Sequence, residues 1–167
     1  MQTLISADQI AEKINVIGEQ ISHDYEGTDL LLICVLKGSF IFTADLMRAI
    51  TIPHTVEFLK ASSYGSSTVS SGEVDIQDFT LNVSDRAVLV VEDIVDTGLT
   101  LQYIMKHLSN QKPASLRLCS LLDKSASRQV DIPLDYCGFS IPDAFVVGYG
   151  LDVDEKYRHL PFIGIVD

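Results

Sequence analysis

Basic residues are scarce in this sequence: 12 Lys and Arg stand against 23 Asp and Glu, a formal net charge of -11. Nucleic-acid binding relies on Lys and Arg to displace counterions from phosphates, so this balance argues against a nucleic-acid partner. An anionic ligand would have to be met by a metal ion or by a few local basic groups. Cysteines are also few. Cys34, Cys119 and Cys137 lie in the apolar stretches LLICVL, LRLCSLL and DYCGF, odd in number and without CxxC spacing. They read as buried, reduced thiols and not as a disulfide framework. Long apolar runs are missing: the longest, Leu30 to Leu36, is far too short to span a bilayer. The opening MQTLISADQ lacks the basic and apolar segments of a signal peptide. The expectation is a soluble, cytoplasmic protein with no membrane partner. There is no internal repeat and no linker rich in Pro or Gly. A single domain over 1–167 is expected, with 47% apolar residues to fill its core.

What the chain does have is alternating strand and helix signals. Ser6-Ala7-Asp8-Gln9 reads as a capping box, because the Ser hydroxyl and Gln amide can satisfy exposed backbone N–H groups. Ile10, Ile14, Ile17 and Ile21 then recur at helical spacing until Gly27 and Thr28. LLLICVL, ending at Lys37-Gly38, has the unbroken apolar character of a central parallel strand covered on both faces. Ser39 is placed to cap a second helix carrying Phe42, Leu46 and Ile50, closed by Pro53. A strand from Val56 through Phe58 to Ala61 leads into SSYGSSTVSSG, whose six serines and two glycines predict a mobile lid over about 62–73. Val74, Ile76, Phe79 and Leu81 suggest short strands beside it. Ala87 to Val91 reads as strand, and Leu99 to Leu108 as a helix with Leu101, Ile104 and Met105 inward. Segments 116–122, 145–150 and 162–167 are further strand candidates. The predicted class is α/β, with three layers around a mainly parallel sheet. In such sheets ligands bind at the carboxyl ends of the strands.

VLVVEDIVDTGLT, residues 88–100, places three carboxylates where a core strand meets a helix. Glu92 and Asp93 are expected to follow the strand at its carboxyl edge, where chain meets solvent. Asp96-Thr97-Gly98-Leu99-Thr100 offers two hydroxyls, a glycine and the backbone amides of a helix N-terminus, the parts of a phosphate cradle. A ribose beside that phosphate would present hydroxyls to Glu92 and Asp93, which can also help hold a hydrated Mg²⁺. A bare helix cap needs one such residue, and this turn has several.

The same segment resembles the phosphoribosyl pyrophosphate (PRPP) signature of the type I phosphoribosyltransferases: four apolar residues, two acids, two apolar residues, then D-T-G-x-T. LKGSFIF (36–42), LLDK (121–124) and IPDAFVVGYGLDVDEKYRHLP (141–161) are similar to the hypoxanthine-guanine phosphoribosyltransferases, in that family's order and spacing. The resemblance implies a small hood built from the terminal segments and transfer of the phosphoribosyl group from PRPP to hypoxanthine, and to guanine. Asp96 would be the general base for the purine N7 proton. Thr97, Gly98, Leu99 and Thr100 would hold the 5'-phosphate, and Glu92 and Asp93 the ribose hydroxyls. Lys124 would donate to the purine O6, which selects 6-oxopurines because adenine presents a donor there. Phe145 would stack on the purine and Val146 would meet its edge through backbone. Lys37, Gly38 and Arg158 would hold the pyrophosphate. Mg²⁺ would be held by Glu92 and Asp93, with a second site at Asp152. Ser63 and Tyr64 would belong to the lid. The family also implies homodimers or homotetramers. Alternatives are a PRPP-binding regulatory protein or a xanthine- or guanine-preferring relative.

Overall fold

The computed structural model describes residues 1–63, 74–77 and 80–166. Six strands form the main sheet. β2 (Leu30–Leu36) and β5 (Ala87–Val95) lie at its centre, between β3 (His54–Ser63) on one side and β6 (Ser115–Asp123) and β7 (Tyr136–Ser140) on the other. All five are parallel, and β4 (Val74–Gln77) adds an antiparallel edge to β3. Leu32 is level with Val56 on one neighbour and Leu89 on the other, so the apolar run of β2 is covered from both sides as well as both faces.

Side chains along a strand alternate between faces, and the core divides accordingly. Leu30, Leu32, Leu89 and Val91 pack with α1 (Ala7–Asp24) and α2 (Phe40–Ala49) through Ile10, Ile14, Ile17, Ile21, Phe42 and Leu46. Leu31, Ile33, Val88 and Val90 pack with Leu101, Ile104 and Leu108 of α3 (Leu99–Ser109). The three layers expected from the alternation are present. A separate antiparallel sheet joins β1 (Gln2–Ile5), β9 (Ile163–Ile165) and β8 (Val146–Val147). Among the described residues no helix is long and apolar enough to cross a membrane.

The capping box closes as expected: Ser6 Oγ accepts from the Gln9 amide at 3.2 Å, and Gln9 Oε1 from the Ser6 amide at 2.8 Å. Ser39 departs from expectation. It occupies the N-cap position of α2, but its buried hydroxyl donates to Val35 O at 2.7 Å and makes no cap bond. A buried hydroxyl must find a partner, and the carbonyl at the end of β2 faces it. Cys137 also departs, being exposed while Cys34 and Cys119 are buried. On edge strand β7, Tyr136 takes the core side and Cys137 the opposite face, whereas α3 lies against β3 and β6. β1 and β7 were absent from the expected strands; both are short or mixed in polarity, and long-range pairing makes them strands. The 145–150 stretch shortens to β8, because Gly148, Tyr149 and Gly150 all take positive φ and turn the chain. Tyr64 and most of the expected lid, together with Phe79, lie outside the described residues.

Candidate active site

β5 runs past its apolar core. Its pairing with β6 continues through Glu92 opposite Ser120, Ile94 opposite Leu122 and Val95 opposite Asp123. Glu92 and Asp93 therefore belong to the strand, and Glu92 is only 9% exposed. That corrects the expectation of two solvated acids beyond the strand end.

Two adjoining clefts open at this carboxyl edge. The first, about 260 Å³, is walled by Lys37 and Gly38, by Glu92 and Asp93, and by Asp96, Thr97, Gly98 and Thr100. The second, about 250 Å³, is lined by Lys124, Phe145, Val146 and Asp152. Asp93, Ile94 and Asp96 line both. The structure thus gathers most of the residues singled out in the sequence. Leu99 is an exception, since it lines a separate cleft with Gln102 and Tyr103. Arg158 lines neither cleft, although its guanidinium lies 3.0 Å from Asp152 Oδ1. Ser63 ends β3.

The turn from β5 into α3 is held from outside. Val95 O accepts from the Lys124 amide at 2.9 Å, Asp96 O from Arg128 Nε at 3.1 Å, and Thr97 O from the Gln129 amide at 2.9 Å. In a trans peptide the C=O and N–H point opposite ways. Drawing the Asp96 and Thr97 carbonyls toward 128–129 therefore turns the Thr97 and Gly98 amides the other way. Gly98 opens α3 with φ +84° and no side-chain cap, and no acidic residue stands in the first helical turn. Thr97 Oγ1 accepts from the Leu99 amide at 3.3 Å, and the other amides of this helix start, in a helix with no acid in its own first turn, suit an anion.

Close approach disfavours a side chain at two neighbouring glycines, most firmly at Gly150, where it would meet backbone. A Cβ on Gly38 would fall 1.7 Å from Asp93 Oδ2. One on Gly150 would fall 2.1 Å from Gly38 O. The turn after β2, which follows a cis Leu36–Lys37 peptide, is thereby seated against both the acids and the 150–158 loop.

Charge is unevenly satisfied around the clefts. Burial pushes the Glu92 carboxyl well above its ordinary range, and the neighbouring Asp93 charge adds to this; burial also raises Asp93. Neither makes an ion pair with a described residue; each accepts a backbone amide instead, Glu92 from Asp93 at 3.0 Å and Asp93 from Ile94 at 2.7 Å. Lys124, 13% exposed, lies 3.0 Å from Asp143 and 3.9 Å from Asp96. Its hydrogen bond holds the Asp143 carboxyl below its usual value. Glu155 is paired on both oxygens, with Lys37 Nζ at 3.0 Å and Arg158 at 3.1 Å. Those hydrogen bonds, Lys37 first, lower its pKa.

Sequence reasoning missed Arg128, Asp143 and Glu155. Arg128 bonds both the Asp96 carbonyl and the Asp123 carboxylate. Its partner Asp96 is 32 residues away, and Lys37 is 118 residues from Glu155, so local pattern carried no signal for either. As residues, though, Asp143 and Glu155 both lay in the 141–161 segment already noted for Phe145 and Arg158.

A family model described as a phosphoribosyl transferase domain matches residues 4–154. The hypoxanthine-guanine phosphoribosyltransferase of Mycobacterium tuberculosis is 50% identical, over 98% of this chain and 85% of that protein. That of Bacillus subtilis is 46% identical, over 99% and 92%. A crystal structure of a hypoxanthine-guanine phosphoribosyltransferase from Bacillus anthracis superposes with a TM-score of 0.95 at 48% identity, covering 100% of this chain and 99% of that one. With its two clefts set at the carboxyl edge of a parallel sheet, the chain belongs to the hypoxanthine-guanine phosphoribosyltransferases, within the family built on the phosphoribosyl transferase domain.

Proposed function

We propose that this chain transfers the 5-phosphoribosyl group from PRPP to hypoxanthine, and to guanine, forming IMP or GMP and releasing pyrophosphate. The observation that carries the proposal is the pair of clefts sharing Asp93, Ile94 and Asp96. One suits a sugar phosphate, the other a planar base, and the carboxylate of Asp96 stands where they meet.

In the reaction the C1'–O bond to pyrophosphate breaks and a bond from C1' to the purine N9 forms. The ribose becomes oxocarbenium-like as the leaving group departs, as in glycoside cleavage. Asp96 takes the N7 proton, supplying general-base catalysis at the moment the purine attacks. Thr97, Gly98 and Thr100, with the amides of the turn and of Leu99, bind the 5'-phosphate. Lys124 donates to O6 and is placed by Asp143, 3.0 Å away. Phe145, 56% exposed and lining the second cleft, provides a face for the purine, and Val146 meets its edge. Lys37, Gly38 and Arg158 hold the pyrophosphate, and Ser63 and Tyr64 contribute to a lid.

The acids fit Mg²⁺. Glu92, buried, and Asp93, half-buried, are oxygen donors in no ion pair among the described residues, and Asp152 lines the second cleft together with Asp93. Among the described residues no cluster of three or more ligating side chains exists. That suits an ion which keeps most of its waters and binds through one or two carboxylates together with substrate oxygens. Bound there, Mg²⁺ would offset the charge of a polyanionic substrate in an acidic protein. A cytoplasmic location and assembly into dimers or tetramers complete the proposal, with the exposed Phe40, Met47 and Phe58 offering apolar surface for such assembly.

The test is a substrate panel: hypoxanthine, guanine, xanthine and adenine, each with PRPP and Mg²⁺, followed by nucleotide formation. Turnover of hypoxanthine and guanine with rejection of adenine is expected. Equal use of adenine would overturn the role given to Lys124, and no turnover of any base would overturn the proposal.

A further inference from the structure

The loop after β8 holds an arrangement that the reaction as described does not use. Glu155 spreads its two carboxylate oxygens across two cations from distant parts of the chain, Lys37 at 3.0 Å and Arg158 at 3.1 Å. The three groups differ in how firmly they are held. Arg158 is 18% exposed and is anchored by donation to Gly150 O at 2.7 Å and by Asp152 at 3.0 Å. Glu155 is 63% exposed. Its turn is drawn tight by its own amide, which donates to Asp152 Oδ2 at 2.9 Å. Asp154, Glu155 and Tyr157 all take positive φ, between 50° and 73°. Side chains other than glycine adopt that region at a cost, and only where surrounding contacts hold them there. The ion pairs of Glu155 are such contacts; Lys37 is 54% exposed against 63% for Glu155, and an arriving anion competes with Glu155 and not with the cations.

Two cations bridged by one two-oxygen anion is also what a diphosphate group requires. We propose that Glu155 is an internal stand-in for pyrophosphate: its carboxylate occupies Lys37 and Arg158 while the site is free and is displaced by the diphosphate of PRPP or by the pyrophosphate product. The inference rests on the pyrophosphate role proposed for Lys37 and Arg158. Glu155 thereby sets affinity. It lowers the net attraction the site offers to pyrophosphate, eases departure of the product, and keeps the two cations from repelling each other when no ligand is bound.

The test compares pyrophosphate and PRPP binding by titration calorimetry in the wild type, Glu155→Gln, Glu155→Asp, Lys37→Ala and Arg158→Ala. Exposed ion pairs are individually weak, so Glu155→Gln is expected to tighten pyrophosphate binding about 3- to 10-fold, with slower pyrophosphate release and an unchanged hypoxanthine KM. Glu155→Asp retains the charge on a shorter stem that cannot reach both cations, and should fall between. Weaker or unchanged pyrophosphate binding in Glu155→Gln, with binding lost in Lys37→Ala and Arg158→Ala, would overturn the stand-in role alone. Unchanged binding in Lys37→Ala and Arg158→Ala would instead overturn the pyrophosphate site on which it rests, and the inference with it.

Discussion

The end of β5 and the 150–158 loop both bring carboxylates to the site, in opposite electrical states. Glu92 and Asp93 are desolvated, adjacent and in no ion pair among the described residues, so burial drives their pKa values up, with the Arg158 charge offsetting part of this at Asp93. Asp152, half-buried, and Glu155, exposed, have Arg158 and Lys37 against them, and Lys37 and Arg158 lower the pKa of Glu155. One region is an unmet demand for positive charge. The other is a set of cations already neutralised by the protein itself. A net charge of -11 therefore does not describe the site: the acidic chain reserves one wall for a cation and the facing loop for an anion. Between the two regions stand Asp96 and Lys124, 3.9 Å apart, where the proposed chemistry takes place.

Disabling the meeting point should have the largest effect. Asp96→Asn is expected to slow the forward reaction by ~10²–10⁴-fold while PRPP still binds, the usual range for loss of a general base. Single-turnover rates alongside a PRPP titration would show it, and unchanged turnover would remove Asp96 from that role. Next in size is Lys124→Ala. Loss of a charge-assisted hydrogen bond should raise the hypoxanthine KM by about 10- to 100-fold and leave PRPP little affected. Equal effects on both substrates would show that Lys124 does not read the base.

Arg128→Gln releases the Asp96 carbonyl and leaves Asp123 unpaired. A roughly 10-fold fall in kcat is expected, in keeping with one charged hydrogen bond, with Arg128→Lys recovering part of it. A fall in melting temperature with kcat intact would assign Arg128 to stability alone.

The smallest effect sharpens the contrast itself. A carboxyl raised above its ordinary value of 4.5 keeps its proton in the folded chain over a pH range where the unfolded chain has lost it. Stability of the unliganded protein therefore falls as pH rises through that range. Glu92→Gln removes this dependence, so the variant should gain on the wild type as pH is raised from about 4.5 toward neutrality. Denaturant melts at stepped pH measure the difference, and parallel curves would mean that Glu92 ionises freely in the fold.

Much of the fold was legible because its signals are local. The capping box of α1 and the isoleucines every three or four residues predicted that helix, and the seven apolar residues of β2 predicted a strand covered on both faces. The acidic turn was legible for a related reason, since Asp96 to Thr100 is one continuous piece of chain and its amides belong to it. What escaped was set by partners far away in sequence. β1 is a strand because β9 lies beside it, and Glu92 is buried because β6 extends to Asp123. Ser39 was correctly placed at the head of α2 and wrongly given a capping bond, because Val35 O competes for its hydroxyl.

The amino-acid sequence by itself determined the α/β alternation, the phosphate-type turn and the family, since each is written in contiguous residues whose spacing and polarity act at short range. Tertiary structure alone decided that Glu92 is desolvated, that Arg128 ties down the Asp96 carbonyl and that Glu155 bridges Lys37 to Arg158. Burial and ion pairing depend on distance through space, and no local pattern records which distant side chains the fold will bring into contact.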